Sequence, residues 1–327
     1  MLRAPSFPTR GFLLKSKAEM KTRILSLLAL LLFALLSSAR DVLAKELFNG
    51  KNVDPIFFIV VGSFVTLLVF YWKISFNQWR VYVFDDVLAL KTSLKRRLVW
   101  LNIATLVAFG TTMLAIDRLN AYTNAVIDYG ASPLVATALA VWLTNDRPTK
   151  VGIVGLVLSL FGVVILAQAL VNNTRNSVPG ITLAIISCLA MTWGQVLAKI
   201  LLASGMSRDR LMVNRLVLLL VVFGLWCFYR GTYHLNVNIF RLILVCILGI
   251  TVPLYLMFTA LEKLQVKDTS LAFFLIPVFT FFGTWAKGHF ESRAILPQYV
   301  LAGILVLGGV FIAESSYAKQ VKEKPNG

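Results

Sequence analysis

The stretch ILSLLALLLFALLSSARDVLAK, residues 24–45, ends on the same four residues as GITLAIISCLAMTWGQVLAK, residues 180–199. Val42 and Val196 stand 154 residues apart, and each VLAK closes a long apolar run. A helix needs about 20 mostly apolar residues to cross a bilayer core, and both runs satisfy that requirement. The first copy carries Arg40 and Asp41 just before its VLAK, where the second carries Gly194 and Gln195.

Other landmarks follow both copies in the same order. AIDRLNAYTNAVIDYGASP (115–133) parallels ALEKLQVKDTSLAFFLIP (260–277), with one residue of slippage. Each run then reaches a polar turn, LTNDRPT at 143–149 and HFESRAIL at 289–296. Each ends in a glycine-bearing helix, GLVLSLFGVVILA at 155–167 and AGILVLGGVFIA at 302–313. Four matches in one order imply a duplicated unit. The length criterion predicts an all-α integral membrane fold of ten transmembrane helices, near 24–47, 55–72, 98–116, 121–143, 151–171, 180–203, 211–229, 239–260, 269–289 and 296–314. The repeats are then 24–171 and 180–314, between a basic segment at 1–23 and a tail at 315–327. Five is an odd number of crossings, so the second copy is expected to enter the membrane inverted. Inverted repeats place a substrate near the bilayer midplane and rock around it.

Composition agrees. Charged residues make up 14% of the chain and apolar ones 58%, with mean hydropathy +0.79. A soluble domain holds roughly 25% charged residues. The net charge of +17 would suggest nucleic acid if it lay on one soluble face. Here the basic residues sit almost wholly between apolar runs, so nucleic acid is not an expected partner. Cys188, Cys227 and Cys246 lie singly inside apolar runs, and His234 and His289 are isolated. No metal-ligand spacing results, and no cofactor is implied.

Lys and Arg mark the cytoplasmic side of a membrane protein. With the N-terminus inside, the inner segments hold 21 basic residues and the outer connections 8. Both termini are therefore predicted to be cytoplasmic, in a multi-pass protein of a bacterial inner membrane. The basic leader and LLSSA at 35–39 also resemble a signal peptide, whose removal after Ala39 would leave nine spans. The repeat uses this helix, which favours its retention. KTSLKRR at 91–97 can attract anionic lipids at the cytoplasmic face, although a topology signal explains it equally well.

On these residues the chain resembles the EamA-like branch of the drug/metabolite transporter superfamily. NAVIDYGASPLVATALAVWLTNDRPT (124–149) looks like the family's fourth helix, and TSLAFFLIPVFTFFGTWAKGHFESR (269–293) like its ninth. The resemblance implies a central cavity lined by helices one, three, four, six, eight and nine, and transport of small metabolites, amino acids or drugs, often outward. Some family features differ. The second helix reads FFIVVGSFV (57–65) where an arginine is often found, while its counterpart is kept as Arg215. Asn145–Asp146 replaces Gly-Glu, and Ala39–Arg40 stands where helix six keeps Trp193–Gly194.

Site candidates follow from the cost of polar groups in lipid. A charge at the bilayer centre costs about 2.5–3.5 kcal/mol on insertion scales, so such residues face the interior and pair. Arg40 and Asp128 each lie about seven residues inside an outer helix end, roughly 10 Å at 1.5 Å per residue. Equal depth suggests an ion pair, serving either as a static bridge or in substrate or proton binding, with Tyr129 beside it. Trp193 and Gln195 bring hydrogen-bonding groups to mid-membrane, where helix packing is the alternative reading. Asn102 and Gln168 are weaker candidates. Pro133, Pro253 and Pro277 remove internal hydrogen bonds and are candidate hinges, or simple packing kinks. Lys45, Lys199 and Arg215 read as surface anchors.

The function expected is secondary transport of small organic solutes, amino-acid- or drug-like, by alternating access and in the efflux direction. No G-x-x-x-x-G-K-[ST] stretch is present to bind ATP phosphates. Alternatives are a nucleotide-sugar or lipid-linked carrier, or a structural membrane protein. An enzyme would need a nucleophile–base pair or metal cluster that the isolated histidines do not supply. Expected partners are the substrate, the bilayer and at most a second copy of the chain in a homodimer.

Overall fold

The side chains that a water-soluble fold would bury point outward in the computed structural model of this chain. On α1 (Arg10–Asn49), Leu27, Leu28, Leu31, Leu32 and Leu35 are exposed, while Ser37, Ser38, Arg40 and Asp41 are buried. On α5 (Lys150–Val171), Val154, Val157, Leu160 and Phe161 are exposed and Ser159 is buried. Lipid tails are as apolar as leucine, so only packing and polar contacts pull surfaces inward. The sidedness is that of a membrane protein.

The structure describes residues 10–49, 53–73, 91–132, 135, 139, 150–171, 177–232, 238–263, 266–288, 297–298, 300–306, 308–309 and 311–312. Among them no strand occurs. After α1 come α2 (Pro55–Lys73), α3 (Thr92–Arg118) and α4 (Ala121–Ala125), which runs into a π-helical turn at Val126–Gly130. Beyond α5 lie α6 (Ser177–Ala203) and α7 (Arg208–Arg230). The next helix, α8, consists of Ile239–Cys246, a π-helical turn at Ile247–Thr251 and Val252–Lys263. It is followed by α9 (Val266–Ala286), and helical residues recur between 297 and 312.

Local chemistry sets several helix starts. The Asp54 carboxylate accepts the Ile56 and Phe57 amides at 2.8 and 3.1 Å. Asn120 caps α4 through the Thr123 amide at 2.7 Å, and Asn238 caps α8 through the Phe240 amide at 2.9 Å. Each satisfies first-turn donors that have no partner inside the helix. Gly231, at φ 65°, ends α7 in the left-handed conformation that glycine adopts freely.

Five stretches among the described residues are long and apolar enough to cross a membrane: Ile24–Asn49, Thr92–Arg118, Val178–Ala203, Arg208–Arg230 and Ile239–Glu262. Pro55–Phe70, Lys150–Ile165 and Leu275–Ala286 are shorter apolar helices. The sequence places the start of the first span near residue 24, but the helix itself begins at Arg10. At 1.5 Å per residue, α1 is roughly 60 Å long, about twice the hydrocarbon thickness. Its basic first turns therefore extend beyond the apolar part.

A two-repeat architecture fits the packing. α1 packs on α8 and α9, while α6 packs on α3 and α4. α2 faces α7; α2 also meets α8, and α7 meets α3. Exchanging each helix for its counterpart in the other half maps this set of contacts onto itself: the α2–α7 contact is kept, and each of the others becomes another. Hydrogen bonds follow the same exchange. Ser38 on α1 bonds Thr280 on α9 at 2.8 Å, and Thr192 on α6 bonds Ser132 beyond α4 at 2.9 Å. The VLAK lysines match as well: Lys45 Nζ donates to the Asp117 carbonyl in the last turn of α3, and Lys199 Nζ to the Leu261 carbonyl in the last turn of α8. A cation beside a helix C-terminus is favourable in both places. The repeated tetrapeptide thus marks a repeated hydrogen bond.

Candidate functional site

Between the halves lies a cavity of about 60 Å³. That is room for on the order of four waters. Its polar lining is Ser37 and Arg40 from α1, Thr112 from α3, Tyr129 from α4, Gln195 from α6 and Arg215 from α7. Apolar residues of α8 and α9, among them Leu254, Met257 and Phe273, complete it. Every helix that the family resemblance implies for the lining contributes, and α7 joins them.

Arg40 is 7% exposed, and its partners differ from the expectation. Among the described residues it pairs not with Asp128 but with Asp41, whose Oδ1 accepts from Nε at 2.9 Å and Nη2 at 2.7 Å. Nη2 also donates to the Tyr129 hydroxyl at 2.7 Å. Adjacent residues on a helix diverge, so a helical reading does not place Arg40 against Asp41. The long guanidinium stem closes the gap. Tyr129 in turn stacks on Phe273 of α9, with ring centres 5.9 Å apart and planes 9° from parallel. Three helices are tied together at this point.

Asp128 belongs to a second polar group. It is fully buried, and Oδ2 accepts from Thr112 on α3 at 3.1 Å and from Ser187 on α6 at 3.0 Å. Its Oδ1 has no hydrogen-bond partner. The two polar groups adjoin through consecutive residues: Tyr129 reaches the Arg40 guanidinium, while Asp128 faces the hydroxyls.

The two π-helical turns supply residues to the cavity, Tyr129 from the first and Ile250 from the second. In the second, the Val252 amide bonds back to the Ile247 carbonyl, five residues earlier. Pro253 has no amide hydrogen to offer Gly249, which explains why the α-helical register yields there. Pro253 also lines the cavity, and Pro277 lies inside α9. Pro133 falls outside the described residues. Gly249 serves the crossing with α1, since a Cβ placed there would lie 2.6 Å from Arg40 Cβ and 2.7 Å from Arg40 Cγ. π-helical turns recur at functional sites because they re-aim side chains and leave backbone groups adaptable.

Gln195 lines the cavity with its Nε2 buried and without a partner, whereas Trp193 packs against the apolar core. Asn102 donates to the Leu98 carbonyl of its own helix at 2.9 Å, and Gln168 is exposed. Arg215 corrects the anchor reading. It is 7% exposed, lines the cavity, donates to Thr105 at 3.1 Å and lies over the Phe258 ring at 5.2 Å. Counting turns from the helix end places it near the surface; the family position was the signal that marked it.

A family model described as "EamA-like transporter family" matches residues 24–168 and again residues 178–314. Among solved structures 26 chains match. One of them, titled "Crystal structure of protein", superposes with a TM-score of 0.60 at 17% identity, covering 90% of this chain and 97% of its own. At that identity the likeness shows a shared fold. No curated protein matches the chain.

Proposed function

We propose that this chain, which belongs to the EamA-like transporter family, is a secondary transporter that exports small organic metabolites by alternating access. The observation that carries the reading is the exchange of helix contacts around a central cavity lined by Arg40, Tyr129, Gln195 and Arg215. Two related halves can rock about such a centre and open it to each side in turn. The π-helical turns and Pro253 give α4 and α8 places where the backbone can yield. In this reading ten helices form two inverted five-helix repeats with both termini cytoplasmic, a topology supported by the excess of Lys and Arg on that side.

Topology is the direct test. A cysteine introduced into 144–150 is expected to react with an impermeant reagent only from the cytoplasm, and one in 172–179 only from outside. Both loops reacting from the same side would remove the inverted repeat, and alternating access with it.

A further inference from the structure

The cavity presents cations and, among the described residues, no carboxylate: its charged lining is Arg40 and Arg215. Arg40 is neutralised by Asp41. Arg215 is not, for no ion pair joins it to any carboxylate among the described residues. Its contacts are the Thr105 hydroxyl and the Phe258 ring, and neither carries net charge. A guanidinium cannot shed its proton to escape burial. Ions inside membranes face cavities and pair there, because desolvation costs several kcal/mol per ion. Gln195, from α6 of the same half, brings a buried donor without a partner to the same space.

We propose that Arg215 binds the anionic group of the transported solute, and that the solute is a small organic monoanion, a carboxylate with an apolar body and no ammonium. The inference rests on the transporter reading above. One unneutralised cation balances one negative charge, and the planar guanidinium fork matches a carboxylate through two parallel hydrogen bonds. Phe33, Met191, Leu254, Met257 and Phe273 offer the remaining wall to hydrocarbon. An ammonium group would need an accessible carboxylate, yet Asp41 and Asp128 are fully buried and lie outside the lining.

The test compares hexanoate, hexanamide, hexylamine and hexyl phosphate on the full-length protein in detergent, read by thermal unfolding. Hexanoate is expected to raise the unfolding midpoint at concentrations at least tenfold below those needed by the amide and the amine, and below those needed by the phosphate. Arg215→Gln is expected to bring hexanoate and hexanamide within twofold of each other, while the ligand-free variant unfolds no earlier than the parent. Gln195→Leu should weaken hexanoate severalfold and keep the preference, which leaves a decision available if Arg215→Gln does not fold. An amine or amide that matches hexanoate, a phosphate that surpasses it, or a panel without any shift would overturn the proposal. Flux of labelled hexanesulfonate, which stays charged and does not leak as a neutral acid, separates the two readings. Binding without flux removes transport and leaves the anion site. Flux of hexylamine equal to that of hexanesulfonate removes the anion site and leaves transport.

Discussion

Asp41→Asn is expected to cost the folded bundle about 3–5 kcal/mol, the effect of leaving a buried charge uncompensated. Asp41 is fully buried and is the one carboxylate paired with Arg40 among the described residues. Asparagine fills the same space but carries no charge, so the guanidinium keeps its burial cost and loses the attraction that offsets it. The loss should appear as a lower unfolding midpoint in detergent and a reduced folded yield. Arg40→Met combined with Asp41→Leu should recover most of it, because a buried pair exchanged for apolar residues is often neutral or better. Asp128→Asn is expected to be milder, about 1–2 kcal/mol, since an amide oxygen can still accept from Thr112 and Ser187. A larger loss at Asp128 than at Asp41 would restore the Arg40–Asp128 pairing that equal depth suggested.

Gly309→Ala is the second large effect, and it concerns backbone rather than charge. A Cβ at Gly309 would strike the Gly155 carbonyl and the Ser159 amide, and one at Gly162 would strike the Ala302 carbonyl and the Val306 amide. Backbone cannot move aside as a flexible side chain does. α5 must therefore separate from residues 300–306 and 308–309, and the Ser159 bond to the Val306 carbonyl, now 3.0 Å, must lengthen. Overpacking of this kind costs about 1–3 kcal/mol. Gly162→Ala should cost as much, and the double variant less than the sum, since one separation relieves both contacts. Gly308→Ala is the control, because nothing lies within 4 Å of a Cβ there. Equal melting of all three variants would assign these glycines no role in helix approach.

The contrast between Gly308 and Gly309 shows why part of the molecule is legible in its sequence and part is not. Lipid demands long apolar runs, so the five long apolar helices among the described residues can be read without coordinates. Duplication preserves landmarks in order, and VLAK proves to mark equivalent lysine-to-carbonyl bonds on both halves. Contacts between distant helices follow different rules. Arg40 reaches its chain neighbour only because a flexible stem folds back, and helical spacing argues against that pair. Arg215 lies seven residues, about two turns, from the start of α7 yet faces the cavity, since depth along a helix says nothing about the face it occupies. The π-helical turn at Ile247–Thr251 has a legible cause in Pro253, but the close approach of α1 to Gly249 within it is a contact between distant helices that local sequence does not announce.

Solute counterflow tests the central claim most directly. Proteoliposomes holding the purified chain, loaded with a solute that raises its unfolding midpoint, are diluted into a trace of the same solute carrying a label. A transporter that alternates between sides is predicted to accumulate label transiently above equilibrium, without ATP, while protein-free vesicles do not. Label entering no faster than into protein-free vesicles, or only with ATP present, would contradict the account.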